Sequence, residues 1–361
     1  MVGPSTRVTV MGGALNNGDL VNHGTVSISG NWMNVDTYTP SNGLLIFDGA
    51  DAQNIAHNNG WVYQLSFEGG GEKTITSGME IQDSVNFAEG VVTIVDGVSL
   101  LVQADGTVTG GNEHSYVDGY LFHHGTGHKY FPLGKNGNFR PAELLSIAGT
   151  DPVVGIRVRE PNPDPRIPLQ LLAVSDTRFW EITGRSGVFD GSQVRLKVAA
   201  DERLGSDFDL QDVVVSTTDS AGGLFYNLGQ SLFSGTLQDG EVTSALPATN
   251  GLLAIAVEGF AEERALYVPN ALSPAAPDPE DQVVKVYGQQ IIDEGFIFRI
   301  YNRWGLLVYE TSSFTEANTV GWNGESSNGE DESIGVYHYT LAGKFASGKP
   351  FSRQGTIKVI R

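Results

Sequence analysis

The sequence has no cysteine among its 361 residues, and it has only 22 basic side chains against 42 acidic ones. Without cysteine the chain can form no disulfide bonds, thiolate zinc sites or cysteine nucleophiles. Its net charge of −20 would repel a phosphate backbone. We therefore expect no nucleic acid among its partners.

Long hydrophobic runs are also missing. The longest, residues 251–257, is far shorter than the ~20 residues that a membrane-spanning helix needs. Residues 1–15 lack the continuous apolar stretch of a signal peptide, which indicates a cytosolic chain or one that has lost its leader. Helical periodicity is nearly absent, whereas short alternating runs bounded by Gly, Asn, Asp and Pro recur throughout. The sequence therefore predicts an all-β protein.

Residues 1–127 repeat β-branched triplets separated by glycine or asparagine corners. A single such rung cannot bury its own apolar face, so its stability would come from stacking on the next rung. Glycine can adopt positive φ at a corner, and asparagine can hydrogen-bond to the backbone there. The corner residues are Gly18, Gly24, Gly30, Gly90, Gly97 and Gly106, with Asn16, Asn22, Asn31 and Asn34. Because the spacing drifts, the pattern predicts either a β-solenoid or an irregular β-sandwich.

Residues 128–262 have longer strands and loops, which predict a second domain with an immunoglobulin-like β-sandwich. The expected strands are residues 178–183, 193–199, 212–217 and 252–257. Proline lacks a backbone donor, so the proline cluster is expected in an exposed loop, a strand edge or a linker. Its members are Pro161, Pro163, Pro165 and Pro168.

Residues 263–361 form the third predicted domain and contain five short blocks in a fixed order. The blocks are residues 268–274 (VPNALSP), 298–305 (FRIYNRWG), 321–324 (GWNG), 335–341 (GVYHYTL) and 355–361 (GTIKVIR). In this order they resemble the gliding-motility-associated C-terminal domain, the type B sorting domain of proteins exported by type IX secretion in Bacteroidota-type bacteria. The residues that carry the resemblance are Pro269, Asn270, Tyr301, Asn302, Arg303, Trp304, Gly305, Trp322, Gly324, Gly335, Tyr337, Gly355 and Arg361.

This resemblance implies that the domain is a small β-sandwich and that the protein is exported. Proteins with such a domain are exported to the cell surface or the medium after removal of an N-terminal signal peptide, which is not present in this sequence. The implied partners are the type IX secretion translocon and an associated outer-membrane protein.

The same blocks can be interpreted physically without the resemblance. Alternation along a strand puts Phe296, Phe298 and Ile300 on one buried face. Trp304 and Trp322 are predicted to be core anchors whose indole N–H groups bond to backbone carbonyls. The glycines of these blocks are expected at tight turns, and they are Gly305, Gly324 and Gly335.

Two groups of side chains are weak candidates for metal ligands. Asp278, Glu280 and Asp281 could hold calcium, although a solvated acidic turn explains them more simply because calcium needs six or more converging oxygens. A three-residue hairpin would bring His124 opposite His128, but two histidines make a poor transition-metal site. No cofactor is expected, with calcium as the one candidate exception.

Neither a GxSxG elbow nor an HExxH motif is present, so we expect a protein that is not an enzyme. The favoured hypothesis is a secreted structural or adhesive protein that self-associates or contacts other surface proteins, with a filament built through its C-terminal domain. One alternative is a carbohydrate-binding or polysaccharide-cleaving β-helix in which Trp32, Trp61 and Tyr63 stack on glycans. Another is a cargo chain docked to the secretion machinery.

Overall fold

The computed structural model describes residues 1–163, 165–168, 170–204, 208–259, 266–326, 328–346 and 348–360. The chain divides into two compact units, Met1–Gly259 and Phe260–Arg361, which we call the body and the C-terminal unit. Both consist mainly of β-strands, as predicted. In the described part of the chain, no helix combines the length and the apolar character needed to cross a membrane. A further division of the body between residues 127 and 128 stays a prediction.

The first part of the body is a parallel β-solenoid, so the first of the two predicted alternatives is the correct one. One sheet contains β1 (Arg7–Val10), β4 (Thr25–Ile28), β7 (Leu44–Phe47), β9 (Trp61–Phe67), β11 (Met79–Phe87), β13 (Leu100–Val102), β14 (Thr107–Gly110) and β16 (Leu121–His124). A second contains β2 (Ala14–Asn16), β5 (Trp32–Asn34), β8 (Gln53–Ala56), β10 (Lys73–Ile75), β12 (Val92–Ile94) and β15 (Val117–Asp118), and a small third contains β3 (Leu20–Val21) and β6 (Tyr38–Thr39). Partners on successive rungs of the first sheet lie about 20 residues apart, the spacing of a solenoid.

Inward-facing apolar side chains of successive rungs lie above one another. Ile28, Phe47, Phe67 and Phe87 occupy one register position on four consecutive rungs, and all four are fully buried. The rings of Phe47 and Phe67 are stacked with centroids 6.1 Å apart, and those of Phe67 and Phe87 with centroids 5.4 Å apart. Each rung therefore buries its apolar face against its neighbours, as stacking of solenoid repeats requires.

The corner glycines have two different roles. Gly90 and Gly97 adopt positive φ (91° and 82°), as predicted. Gly24 does not, and a Cβ there would lie 2.3 Å from a carbonyl oxygen of the preceding rung. Gly30 is similar, since its Cβ would lie 2.4 Å from the Gly13 nitrogen. The prediction of positive φ is also wrong for Gly18 and Gly106. Close approach of neighbouring rungs is the reason for glycine at Gly24 and Gly30, whereas a Cβ on Gly18 would meet no atom within 4 Å.

The asparagines bond between rungs, as expected at solenoid corners. Asn22 Nδ2 donates to the Leu44 carbonyl oxygen at 3.2 Å, and Asn31 Oδ1 accepts from the Asn54 backbone N–H at 2.8 Å. Asn16 donates to the side chain of Asn34 at 2.7 Å.

Two buried polar side chains replace the apolar pattern at one corner. Gln53 pairs in register with Lys73 on the next rung. The Gln53 amide nitrogen donates to two corner carbonyls at 2.9 and 2.6 Å. The Lys73 ammonium donates to the carbonyl oxygens of Gly49 and Gly71 at 2.9 and 2.5 Å. Both side chains thus satisfy backbone carbonyl groups at this corner of the solenoid.

The second part of the body is antiparallel. Its strands are β17 (Gly127–Phe131), β18 (Gly134–Lys135), β19 (Asn138–Phe139), β20 (Ala142–Arg159), β21 (Leu171–Val174), β22 (Phe179–Gly191), β23 (Val194–Ala199), β24 (Val213–Thr218), β25 (Tyr226–Asn227), β26 (Leu232–Gly235), β27 (Asp239–Thr243) and β28 (Gly251–Glu258). Short 3₁₀ helices span Ala200–Glu202 and Leu210–Asp212. The first half of β20 pairs with β17 and β23, and its second half pairs with β16 and β22. This long strand therefore joins the solenoid to two antiparallel sheets, and the four strands predicted between residues 178 and 257 are confirmed. The described members of the proline cluster lie outside strands, as expected.

The C-terminal unit is a small β domain. It has the strands β29 (Ala271–Leu272), β30 (Ile291–Tyr301), β31 (Leu307–Thr311), β32 (Gly335–Phe345) and β33 (Pro350–Val359), a 3₁₀ helix (Pro279–Gln282) and helix α1 (Phe314–Thr319). The sheet order is β29-β33-β32-β30-β31. Phe296, Phe298 and Ile300 lie in its core, as their alternation predicts, and pack with Trp322 and Ala317.

Candidate docking surface of the C-terminal unit

Parts of two sequence blocks meet at one end of the sheet. Strand β30 ends at Tyr301, which pairs with Leu307 on one side and with His338 on the other. The turn after β30 therefore lies beside the start of β32, which begins at Gly335. Antiparallel pairing brings together residues that are more than thirty positions apart in the sequence.

Hydrogen bonds around Asn302 hold this turn in one shape. The Asn302 side-chain oxygen accepts from the backbone N–H groups of Trp304 and Leu306 at 3.0 and 3.1 Å. The Asn302 backbone donates to the Leu306 carbonyl, and Gly305 donates to the Asn302 carbonyl, both at 2.9 Å. Gly305 has φ of 78°, a conformation that favours glycine. Asn302 and Gly305 thus determine where the intervening side chains point.

The turn displays Trp304 to solvent. This side chain is 75% exposed, so the prediction that Trp304 is a core anchor is wrong. The tight turn carries its ring away from the sheet, and the guanidinium carbon of Arg303 lies 4.9 Å from the ring centroid. The corresponding prediction for Trp322 is correct, because its ring is 1% exposed and its Nε1–H donates to the Glu325 carbonyl at 2.7 Å.

Trp304 forms one wall of a shallow groove with a volume of about 80 Å³. The other wall is the segment from Glu332 to the start of β32, in which Ile334 is 65% exposed. The Tyr337 hydroxyl lies 2.8 Å from the Ser333 carbonyl oxygen and 3.0 Å from a Glu332 carboxylate oxygen, so it ties this wall to the buried side of the sheet. The groove combines apolar surface with one guanidinium and one carboxylate.

The remaining motif residues support the domain. Gly324 has φ of 86° and serves a tight turn as predicted, whereas Gly335 opens β32 outside the positive-φ region. A Cβ on Gly355 would lie 2.6 Å from the ring of Tyr339, so this glycine makes room for an aromatic ring. Pro269 and Asn270 lead into β29, and the Asn270 carbonyl accepts from the backbone of the last strand. Arg361 lies outside the described residues.

The three weak calcium candidates lie at one short 3₁₀ helix. Asp278 caps the 3₁₀ helix that follows it, accepting from the Glu280 backbone at 3.0 Å. The Glu280 carboxylate accepts from the Tyr287 hydroxyl at 3.1 Å, and Asp281 lies within the same short helix. Across the described residues, no group of three or more His, Asp or Glu side chains is placed to hold a metal ion.

The two histidine candidates face different carboxylates. His124 Nε2 lies 2.7 Å from Asp151, and His128 Nε2 lies 2.6 Å from Glu143. The expected hairpin is wrong, because β16 and β17 pair with opposite halves of the long strand β20. Each imidazole therefore has a carboxylate partner of its own.

The aromatic residues of the glycan alternative are also separated. Trp32 is 3% exposed and donates from Nε1 to His57 Nδ1 at 3.0 Å, so it cannot stack on a sugar. Trp61 is 40% exposed and Tyr63, two positions along the same strand, is partly exposed. Glycan binding by Trp61 and Tyr63 stays a prediction.

Sequence reasoning missed the opposite wall of the groove. Ile334 is a large apolar residue directly outside the recognised blocks, and it is exposed. Its signal in the sequence is an apolar side chain next to a glycine, here Gly335. Only the pairing of β30 with β32 shows that Ile334 and Trp304 belong to one surface.

Comparison with known proteins identifies the C-terminal unit. Residues 266–359 match the family model described as the CHU_C type IX secretion signal domain. The match contains both Trp304 and the opposite wall of the groove. No curated protein matches the chain.

Proposed function

We propose, from the premise that residues 266–359 are a type IX secretion sorting domain, that the export machinery reads this domain through the groove beside Trp304. The sorting domain marks the chain as a secreted cargo protein, bound for the cell surface or the extracellular space. Contact with the translocon and with an associated outer-membrane protein belongs to the proposal. So does the removal of a signal peptide ahead of the mature chain.

The observation that carries the proposal is the display of Trp304. A tryptophan that is 75% exposed leaves a large apolar area in water, which is unfavourable unless a partner covers it. Four hydrogen bonds of the Asn302 turn hold the backbone that carries the ring in one shape before any partner arrives. Such preorganisation lowers the entropy that binding would cost. Tryptophan and arginine are also the residues that contribute most often to binding hot spots.

Replacing Trp304 by alanine is expected to reduce export at least about tenfold, since truncation of a hot-spot residue costs ~2 kcal/mol or more of binding free energy. The measurement is the fraction of the chain found outside the outer membrane of producing cells. Tyr226→Ala is the matched control, because Tyr226 is a 61% exposed aromatic residue of the body. That control should be exported like the wild type.

Folding must be unchanged for this comparison to be informative. Because Trp304 is exposed, the free energy of unfolding of Trp304→Ala should lie within about 0.5 kcal/mol of the wild-type value. Normal export of a correctly folded Trp304→Ala chain would overturn the proposed role of the groove. Equal losses for the Trp304 and Tyr226 variants would do the same.

For the body we propose a structural or adhesive role without catalysis, including self-association into a filament through the C-terminal unit. What supports it is contact surface on the solenoid. Leu15 and Met33 pair in register on the outer face of the second sheet and are 62% and 51% exposed. Strand β1 pairs with β4 on one edge, and no strand among the described residues covers its other edge.

Light scattering of the purified chain, with and without calcium, tests self-association. We expect the mass to rise with concentration, and Leu15→Lys/Met33→Lys to reduce that rise by placing charges on the apolar strip. A monomer at every concentration and calcium level would refute the filament.

A further inference from the structure

The last strand of the C-terminal unit has an incomplete outer edge. Along its inner edge, β33 pairs with β32 from Pro350 to Val359 without a register shift. Its outer edge pairs with β29 only at Lys358 and Val359. The Lys358 backbone N–H donates to the Asn270 carbonyl oxygen at 2.9 Å there.

The Lys358 bond shows which backbone groups of β33 point to its outer edge. Backbone N–H groups alternate in direction along a strand, so those of Ser352, Gln354 and Thr356 point outward like that of Lys358. These three residues are exposed. Among the described residues, no hydrogen bond engages their outward N–H and C=O groups. Residues 352–356 therefore offer ladder positions for one further strand of about five residues, or ~17 Å.

The charge around this edge is opposite to that of the chain as a whole. Residues 333–361 contain five basic side chains and no acidic one, although the net charge of the chain is −20. Arg353 lies within the free stretch and Lys358 just beyond it, and both are exposed. Elsewhere in this hairpin, Lys344 is paired with Glu294 at 3.6 Å.

Basic residues on a strand edge can also serve a general purpose, which is to prevent edge-to-edge pairing of identical chains. Two copies of β33 side by side would bring Arg353 and Lys358 against like charges, which disfavours a second copy as the occupant. The same charges attract an acidic strand. Charge complementarity therefore selects the chemistry of the occupant.

We propose that an extended acidic segment of another protein completes this sheet by adding a strand along residues 352–356. Main-chain hydrogen bonds to the outward groups would hold the segment, and Arg353 and Lys358 would select its carboxylates. The inference deepens the proposed export role by adding a second contact to the sorting domain. Its test measures binding to the purified chain, so its outcome is independent of the Trp304 experiment.

Hydrogen exchange of individual amides, followed by NMR, tests the proposal on the full chain. The probe is a ten-residue peptide of alternating glutamate and valine, and the control is the same peptide with lysine for glutamate. At saturation with the acidic peptide, exchange at Ser352, Gln354 and Thr356 should slow at least about tenfold. The amides of Arg353 and Gly355 already point to β32 and should change little. The lysine peptide should protect none of them.

Two substitutions of one residue separate edge pairing from charge attraction. Gln354→Pro removes an outward N–H at an edge position, where proline is tolerated, whereas Gln354→Ala keeps it. Both variants should melt like the wild type, and only Gln354→Pro should lose protection at Ser352 and Thr356. Absence of protection by the acidic peptide would overturn the proposal. Equal protection by both peptides, or unchanged protection in Gln354→Pro, would also overturn it.

Discussion

Replacing Arg178 by methionine is expected to lower the free energy of unfolding of the body by about 3–5 kcal/mol, the cost of leaving a buried charge without its partner. Arg178 is fully buried. Its guanidinium contacts Asp201 and lies 2.7 Å from Glu202 and 3.5 Å from Glu160. Methionine fills similar space but offers no charge to Glu202, which is itself 2% exposed. Urea unfolding followed by circular dichroism measures the loss.

Lys197→Met is the matched control. Lys197 pairs with Asp239, whose side chain is 79% exposed and stays hydrated when its partner is removed. The control should therefore cost about 1 kcal/mol or less. Comparable losses in the two variants would contradict the idea that Arg178 compensates buried charge.

A second substitution tests which carboxylate is responsible. Burial raises the pKa of Glu202 even though Arg178 opposes that shift. Glu202→Gln keeps a hydrogen-bonding partner for the Ser175 hydroxyl, which donates to Glu202 at 2.6 Å. In the Arg178→Met background, Glu202→Gln should therefore restore part of the lost stability. No recovery would assign the cost to packing instead.

The strands could be predicted because alternation is a local property. The expected strand 193–199 is observed as Val194–Ala199, with its buried positions alternating as the sequence indicates. The role of Gly24 could not be predicted in this way. It depends on how closely one rung approaches the preceding one, and no short stretch of sequence contains that distance.

The candidate site could be predicted only in part. The five blocks point to the correct domain, and the alternation of Phe296 to Ile300 gives its buried face. Hydrophobicity alone predicts that Trp304 lies in the core. This prediction is wrong because the burial of a turn residue depends on where the turn points. Similarly, the spacing of His124 and His128 suggests a hairpin, but strand pairing across β20 separates their partners.

Acidification from pH 7 to pH 4 is expected to destabilise the body through two buried histidines, by about 3 kcal/mol each, since one unit of pKa shift corresponds to 1.36 kcal/mol. Burial lowers the pKa of His57 from 6.5 to about 4 and that of His123 from 6.5 to about 3. Together the two effects are comparable to the whole stability of many domains.

The direction follows from proton binding in the two states. Above pH 6.5 both imidazoles are neutral whether the chain is folded or unfolded, so they cause no loss. As the pH falls below 6.5, the unfolded chain binds protons that the folded chain cannot bind, and stability decreases until the pH reaches the folded pKa values. Asp201 adds to the loss of stability at still lower pH. Burial opposes the shift, but Arg178 and Arg140 lower the pKa of its carboxyl group, so protonation of this group favours the unfolded chain.

The contacts explain why neither imidazole accepts a second proton. His57 Nδ1 accepts from the Trp32 indole N–H at 3.0 Å, so protonation would set two donors against each other. His123 Nε2 bonds to the Tyr130 carbonyl at 2.9 Å, while its Nδ1 is buried without a partner, and nearby Lys129 opposes another positive charge.

Substitutions that keep these hydrogen bonds but do not titrate should flatten the pH profile. His57→Asn retains an acceptor for Trp32, and His123→Gln retains a donor for Tyr130. Urea unfolding of the double variant between pH 7 and pH 4 should show a decrease smaller by about 6 kcal/mol than that of the wild type. His114→Gln, which removes an exposed imidazole, controls for the loss of a histidine as such. An equal decrease in the double variant would contradict the prediction and assign the acid sensitivity to titratable groups other than His57 and His123.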